Sequence, residues 1–214
     1  MNKYLSFWAG ILGVVFFIVA TILGGLQVSN YSHIAQLISE SYAVDTPYGW
    51  EIRYFGFFPA GVLLTIFAFS AITSFPRSGP TSAGFSGLAI FYGIATIIVS
   101  FFPCDQGCNK AFMDPSASQI IHNLTGLLTY IFVPISLFTI GYSLRKRHHG
   151  KEIAILAIVV AINCVIFITI LALDPLSKWA GLYQRIIEGG ILFWIVVCAL
   201  HIKYKTDHPI LREN

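Results

Sequence analysis

The sequence predicts an all-α, polytopic transmembrane bundle of six helices with an extra amphipathic helix in the first outer loop. Three observations predict it. Six apolar stretches, residues 6–27, 54–75, 83–103, 119–143, 153–174 and 182–203, are each long enough to cross a bilayer. About 20 apolar residues rising about 1.5 Å each span roughly 30 Å of hydrocarbon. The composition, 56% hydrophobic and 11% charged with a mean hydropathy of +0.75, exceeds what one soluble core could hide, since charged residues ordinarily make up about a quarter of a globular chain. The stretches also lack the alternating pattern of a membrane barrel, which leaves helices as the way to satisfy backbone polar groups in lipid.

The first span follows the short basic start Met1-Asn2-Lys3-Tyr4. Its apolar run is longer than a signal-peptide core of about 7 to 15 residues and ends without a small-residue cleavage pattern, so it is read as a retained helix. The first outer segment, Ser29 to Arg53, begins with Ile34, Leu37, Ile38 and Ser41 on one helical face and His33, Gln36 and Glu40 on the other. That pattern predicts an amphipathic helix lying on the membrane surface or capping the bundle. Tyr31, Tyr42, Tyr48, Trp50 and Tyr54 fit an aromatic belt at the interface.

Span two runs into a short inner connection, Pro76 to Ser82, rich in Pro, Gly and Ser. Span three ends in a second outer loop, Pro103-Cys104-Asp105-Gln106-Gly107-Cys108-Asn109-Lys110, running to Asp114-Pro115. Two cysteines four apart around a glycine turn can meet the geometry of a disulfide, and the outer side is oxidising in most compartments. A structural disulfide between Cys104 and Cys108 is the favoured reading, with a metal pair or a redox couple as its rivals. The spacing is neither that of a zinc ribbon nor that of a thioredoxin motif. Cys164 and Cys198 fall within spans and read as small packing residues. Spans four and five are joined by the basic turn Leu144 to Glu152. No internal repeat or linker divides the chain, which is read as one domain over residues 1–214.

The uneven charges orient the bundle. With both termini cytoplasmic, Lys3, Arg77, Arg145, Lys146, Arg147, Lys151, Lys203, Lys205 and Arg212 lie inside, against Arg53, Lys110, Lys178 and Arg185 outside, nine and four of the 13 basic residues. The positive-inside rule selects this arrangement in a plasma or inner membrane. The net charge of +3 is therefore a topology signal, and the run Arg145-Lys146-Arg147-His148-His149 sits beside anionic lipid with no nucleic-acid partner implied and no role for His148 or His149.

Polar groups recur at one height, near the outer end. Span four opens with Gln119, His122, Asn123 and Gly126 on one face, and span six with Gln184, Arg185, Glu188 and Gly189 on one stripe. Charge at that depth costs about 2.5 to 3.5 kcal/mol at a helix centre, so these groups should face inward and pair, Arg185 with Glu188 being the obvious couple. His122, Glu188, Asp105 and His33 are the candidate acids and bases. Arg185, Gln184, Asn123, Glu40 and Ser39 are the candidate ligand-binding residues, with Arg185 and the histidines able to donate to a phosphate. A salt-bridged network that only locks the helices competes with a functional site. No esterase elbow, metalloprotease motif, Walker loop or dinucleotide fingerprint is present, and no cofactor or metal is named by the sequence. Asn30-Tyr31-Ser32 matches a glycosylation acceptor usable only in a eukaryotic secretory host.

Four stretches, Tyr31 to Glu40, Phe102 to Cys108, His122 to Gly126 and Gln184 to Gly189, together resemble the six-helix membrane proteins catalogued as domain of unknown function 998. The resemblance covers almost the whole chain and implies the fold but no activity. Ile38-Ser39-Glu40 and the pair His122 and Gly126 are more distantly similar to the FRAG, DRAM and SFK group, which implies a connection with lipid remodelling and distribution. The reading that follows is a bundle whose outer pocket, lined by spans four and six and covered by the first outer helix, binds a lipid or amphiphile headgroup, with membrane lipids as partners and a homo-oligomer allowed. A lipid-modifying enzyme of hydrolase or transferase type, a non-catalytic scaffold and a small-solute transporter are the alternatives. The lack of a central charge argues against proton-coupled transport.

Overall fold

A computed structural model describes residues 3–75, 78–146 and 150–205. Arg77, Arg147, His148, His149 and the terminal Arg212 of the orientation argument lie outside these residues. Six helices are long and apolar enough to cross a membrane. They are α1 (Lys3–Gln27), α2 (Gly49–Ser74), α3 (Gly79–Phe101), α4 (Ala117–Leu144), α5 (Lys151–Leu173) and α6 (Ala180–Lys205). The protein is a multi-pass integral membrane protein.

Each helix packs against its neighbour in the chain, and α6 returns to α1, so the six close into a ring. At the end carrying the basic turn, the ring's interior is solid. Phe67, Phe85, Leu137, Ile140, Leu144 and Trp194 are all under 2% exposed there, and the Trp194 indole donates to the Ile153 carbonyl at 3.2 Å. The outward faces are apolar. Val15, Ile18, Val19 and Ile22 on α1 and Val159, Ile162, Val165 and Ile166 on α5 are each 43–55% exposed, a solvent-facing pattern that only lipid makes favourable.

Two helices depart from α geometry, and both departures matter at the other, loop-rich end. In α2, residues Ile52–Phe57 form a π-turn ahead of Pro59, whose ring supplies no N–H. In α3, Ala89–Ile94 form a second π-turn. Between them, α2 and α3 cross closely at glycine. A Cβ on Gly93 would lie 2.7 Å from the Thr65 nitrogen, and one on Gly61 would lie 2.8 Å from the Gly93 oxygen.

Helix α2 begins at Gly49, ahead of the apolar span expected from residue 54, so Glu51 and Arg53 are helical. The helical element of the first outer segment is also shorter than its pattern suggested. Residues after Ser32 make turns, and ahead of α2 only Ile38–Tyr42 is helical, as a 3₁₀ helix with all five residues buried. It is a lid tucked into the ring.

Candidate functional site

The lid is held by bonds that its own sequence supplies. The Tyr31 hydroxyl donates to the Leu37 carbonyl at 2.6 Å, the Leu37 amide donates to Glu40 Oε1 at 2.7 Å, and the Ser41 hydroxyl donates to the Ile38 carbonyl at 2.7 Å. These local bonds compete with an α-helix and win. Helix α6 then fixes the lid in place, because Gln184 Oε1 accepts the Ile38 amide at 2.7 Å and the Leu182 amide donates to the Ile34 carbonyl at 2.8 Å. Glycine permits the fit, since a Cβ on Gly181 would collide with the Gln36 carbonyl.

The second outer loop braces the lid from the other side. Cys104 and Cys108 are at disulfide distance, with Cα atoms 4.8 Å apart, across a turn in which Gly107 and Cys108 have φ of 57° and 58°. The Ser39 hydroxyl lies 3.2 Å from Cys108 Sγ, and the Val44 amide donates to the Cys104 carbonyl at 3.1 Å. Asp105 accepts from the Ser116 hydroxyl at 2.5 Å and its amide at 3.0 Å, which holds its carboxyl below the usual carboxylate range. Ser116 in turn caps α4 by accepting the Gln119 amide at 3.1 Å. Glu40 points away from the bundle interior to Lys110 Nζ at 2.8 Å.

Under the lid is a cavity of about 490 Å³. Phe17, Leu37, Ile38, Phe57, Val99 and Leu127 contribute apolar wall; His122, Asn123, Tyr130, Gln184 and Glu188 contribute polar atoms, with Tyr92, Thr96, Thr129, Ser39 and Tyr42 among them. Phe57 and Tyr92 each sit in a π-turn, a distortion frequent at functional sites. Helix α5 lines none of it. The wall on α4 is open: Leu127 is 57% exposed, and a Cβ on Gly126 would meet nothing within 4 Å. Leu127 is ten residues into α4, about 15 Å along the helix, so the opening lies within the apolar, membrane-spanning length of α4.

The polar atoms are only partly satisfied by one another. Glu188, 8% exposed, accepts from the Tyr92 hydroxyl at 2.8 Å and the Tyr130 hydroxyl at 3.4 Å. Gln184 Nε2 donates to the Tyr130 oxygen at 3.0 Å. His122 Nδ1 stands 2.9 Å from the Phe102 carbonyl; only an N–H can bond there, so in the neutral ring Nε2 carries the lone pair, and Nε2 has no hydrogen-bond partner among the described residues.

The structure thus brings His122, Asn123, Ser39, Gln184 and Glu188 to one cavity and leaves Asp105 and Glu40 outside it. The Arg185–Glu188 couple does not form. Arg185 Nη1 donates to the carbonyls of His33, Gln36 and Gly181 at 2.6, 2.8 and 3.0 Å, and Nη2 to the Tyr31 hydroxyl at 2.7 Å and His33 Nδ1 at 3.2 Å. The helix turn separating the two residues aims Arg185 at the lid and Glu188 at the bundle interior. Arg185 and exposed His33 border a smaller cavity of about 280 Å³ between α1 and α6, which Glu188 also reaches. His33 is held below the ordinary imidazole range by partial burial and by the Arg185 charge. Gln119, on the polar face expected of span four, braces the second outer loop, accepting the Asp105 amide at 2.7 Å and donating to the Cys108 carbonyl at 3.3 Å. The tyrosines at 92 and 130 were missed as site residues. A phenol deep in an apolar span, which must find a partner, was the available signal for the tyrosines.

Cys104, Cys108 and His122 have ligand atoms within 4.8 Å of one another. Reduced, the two thiols and the imidazole are a donor set for a soft or borderline metal; bonded to each other, the sulfurs are no longer thiolate ligands.

A family model described as "Protein of unknown function (DUF998)" matches residues 11–201, and the chain belongs to this family. No curated protein and no solved structure matches it.

Proposed function

We propose that this protein takes an amphiphile from the bilayer and holds its headgroup beneath the lid. The single observation carrying this reading is the mouth at Leu127 and Gly126, which opens the polar cavity sideways within the membrane-spanning length of α4. A cavity entered from lipid, walled mostly by aliphatic and aromatic groups with a few convergent polar ones, suits a molecule with a chain and a headgroup. The solid interior beyond Trp194 supports a binding site over a continuous solute path. The positive-inside distribution supports an orientation with both termini in the cytoplasm and the cavity in the outer leaflet, as expected of a plasma or inner membrane.

Gly126→Leu tests the reading. The new side chain has room at its Cβ and fills the mouth. Native mass spectrometry of protein extracted from membranes should find a retained lipid species in the parent that is lost from a folded Gly126→Leu variant. The same lipid profile in both would refute the site. A lipid-modifying enzyme is the second reading, favoured by the unpartnered Nε2 of His122; incubation with membrane lipids would then give a product that His122→Ala abolishes.

A further inference from the structure

We infer that the headgroup held in the cavity carries a positively charged nitrogen, a primary amine or a quaternary ammonium. This inference rests on the cavity reading above and names the chemistry of its occupant. It starts from Glu188. A carboxylate offers about four acceptor positions, and Glu188 receives two hydroxyls, from Tyr92 and Tyr130. Among the described residues no salt bridge involves it, and the nearest arginine in its helix, Arg185, which borders the neighbouring smaller cavity, turns its Nη donors to lid carbonyls, Tyr31 and His33 and leaves its Nε unpaired. A buried carboxylate with hydrogen bonds but no countercharge is the arrangement a cationic ligand completes.

The surrounding wall has the matching electrostatics. Five rings, Phe17, Tyr42, Phe57, Tyr92 and Tyr130, line the same space. Four of them are contiguous: Phe17 is 5.2 Å from Phe57 and 6.2 Å from Tyr92, and Phe57 is 4.7 Å from Tyr42. Aromatic faces attract ammonium groups and hold quaternary ones without hydrogen bonds. No lysine or arginine lines the cavity. Arg53, a buried cation of this end, donates to the Tyr42 carbonyl at 2.8 Å and is not among the lining residues. A phosphate or carboxylate head would therefore meet a carboxylate and the negative faces of rings.

The test uses the full-length protein in maltoside micelles with four tracer probes sharing one chain: dodecylamine, dodecyltrimethylammonium, dodecanol and dodecyl phosphate. Native mass spectrometry reads the bound fraction. Expected is retention of the two cations at least about tenfold above dodecanol, with dodecyl phosphate weakest. Glu188→Gln keeps shape and an oxygen for Tyr92 and Tyr130, and should bring the cations to within about twofold of dodecanol, a loss of at least about fivefold in affinity. If that variant does not fold, Phe17→Leu and Phe57→Leu replace it and should weaken dodecyltrimethylammonium several-fold while leaving dodecanol unchanged. Equal binding of all four probes, or preference for dodecyl phosphate, with loss in Gly126→Leu would overturn the amine assignment and leave the cavity reading standing. Binding of none of the four, or binding indifferent to Gly126→Leu, would overturn both.

Discussion

Replacing Arg185 by methionine should release the lid while leaving the helices in place. Its guanidinium makes short bonds to the His33 carbonyl, the Gln36 carbonyl and the Tyr31 hydroxyl at 2.6, 2.8 and 2.7 Å. Hydrogen bonds to a charged group are worth about 1.5 to 3 kcal/mol each. His33 is exposed, so water takes over that bond and two remain to count, about 3 to 6 kcal/mol. Against this, Arg185 Nε is buried with no acceptor, and methionine removes that unmade bond, which costs about 1 to 3 kcal/mol. The net expectation, from the middle of each range, is a loss of about 2.5 kcal/mol. Hydrogen exchange locates it: amides of Leu37, Ile38 and Glu40 should lose protection while α4 and α5 keep theirs.

The same variant separates the two pairings proposed for Arg185. With Arg185 committed to the lid and Glu188 to two phenols, the double variant Arg185→Met with Glu188→Gln should be additive within about 0.3 to 0.5 kcal/mol. A coupling energy above about 1 kcal/mol, or lid amides as protected as in the parent, would refute the lid-staple account and restore the ion pair.

Mass spectrometry of unreduced protein should find Cys104 joined to Cys108, and Cys104→Ser with Cys108→Ser should cost stability at the low end of about 2 to 4 kcal/mol because the closed loop is short; free thiols with bound zinc would favour the metal reading. His33 titrates below its unfolded value, so the stability it contributes is present above about pH 6.5 and lost as pH falls through its folded value. Melting curves should show a small, salt-screened loss on acidification that His33→Gln abolishes. Gly93→Ala should destabilise by about 1 to 3 kcal/mol through overpacking against Thr65, whereas Gly126→Ala, with open space at its Cβ, should be neutral or stabilising in thermal melts.

The spans were readable because twenty apolar residues in a row admit few other meanings. Their ends were not. Trp50-Glu51-Ile52-Arg53 is too polar for a hydropathy window, yet it continues α2 beyond the apolar core. The height of the site was also readable, since helical rise alone puts His122, Gln184 and Glu188 near one end. Rotation about the helix axis was not readable: Arg185 and Glu188 share a stripe in projection but serve the lid and the cavity separately, a division set by how α6 packs on α1 and α5. The lid's apolar spacing imitated an α-helix because its residues are buried by tertiary contact, while Tyr31, Glu40 and Ser41 tie the backbone into a tighter turn.

The cavity's size bears on what fills it. A space of about 490 Å³ is far larger than the voids a packed interior leaves, and its apolar lining loses contacts unless something occupies it. The bundle could have closed the space with larger residues, as it does at the other end with Phe85 and Trp194. Instead it places Ala95, Thr96 and Gly126 along the wall and distorts two helices beside it. Water can fill the polar corner around Glu188, Gln184 and His122, where hydrogen-bond partners exist. It has no partners along Phe17, Val99 and Leu127, of which Leu127 is exposed on the outer face of α4. On the proposed reading, a chain from the membrane would fill this apolar side at least cost, and its head would then lie against the carboxylate and the rings.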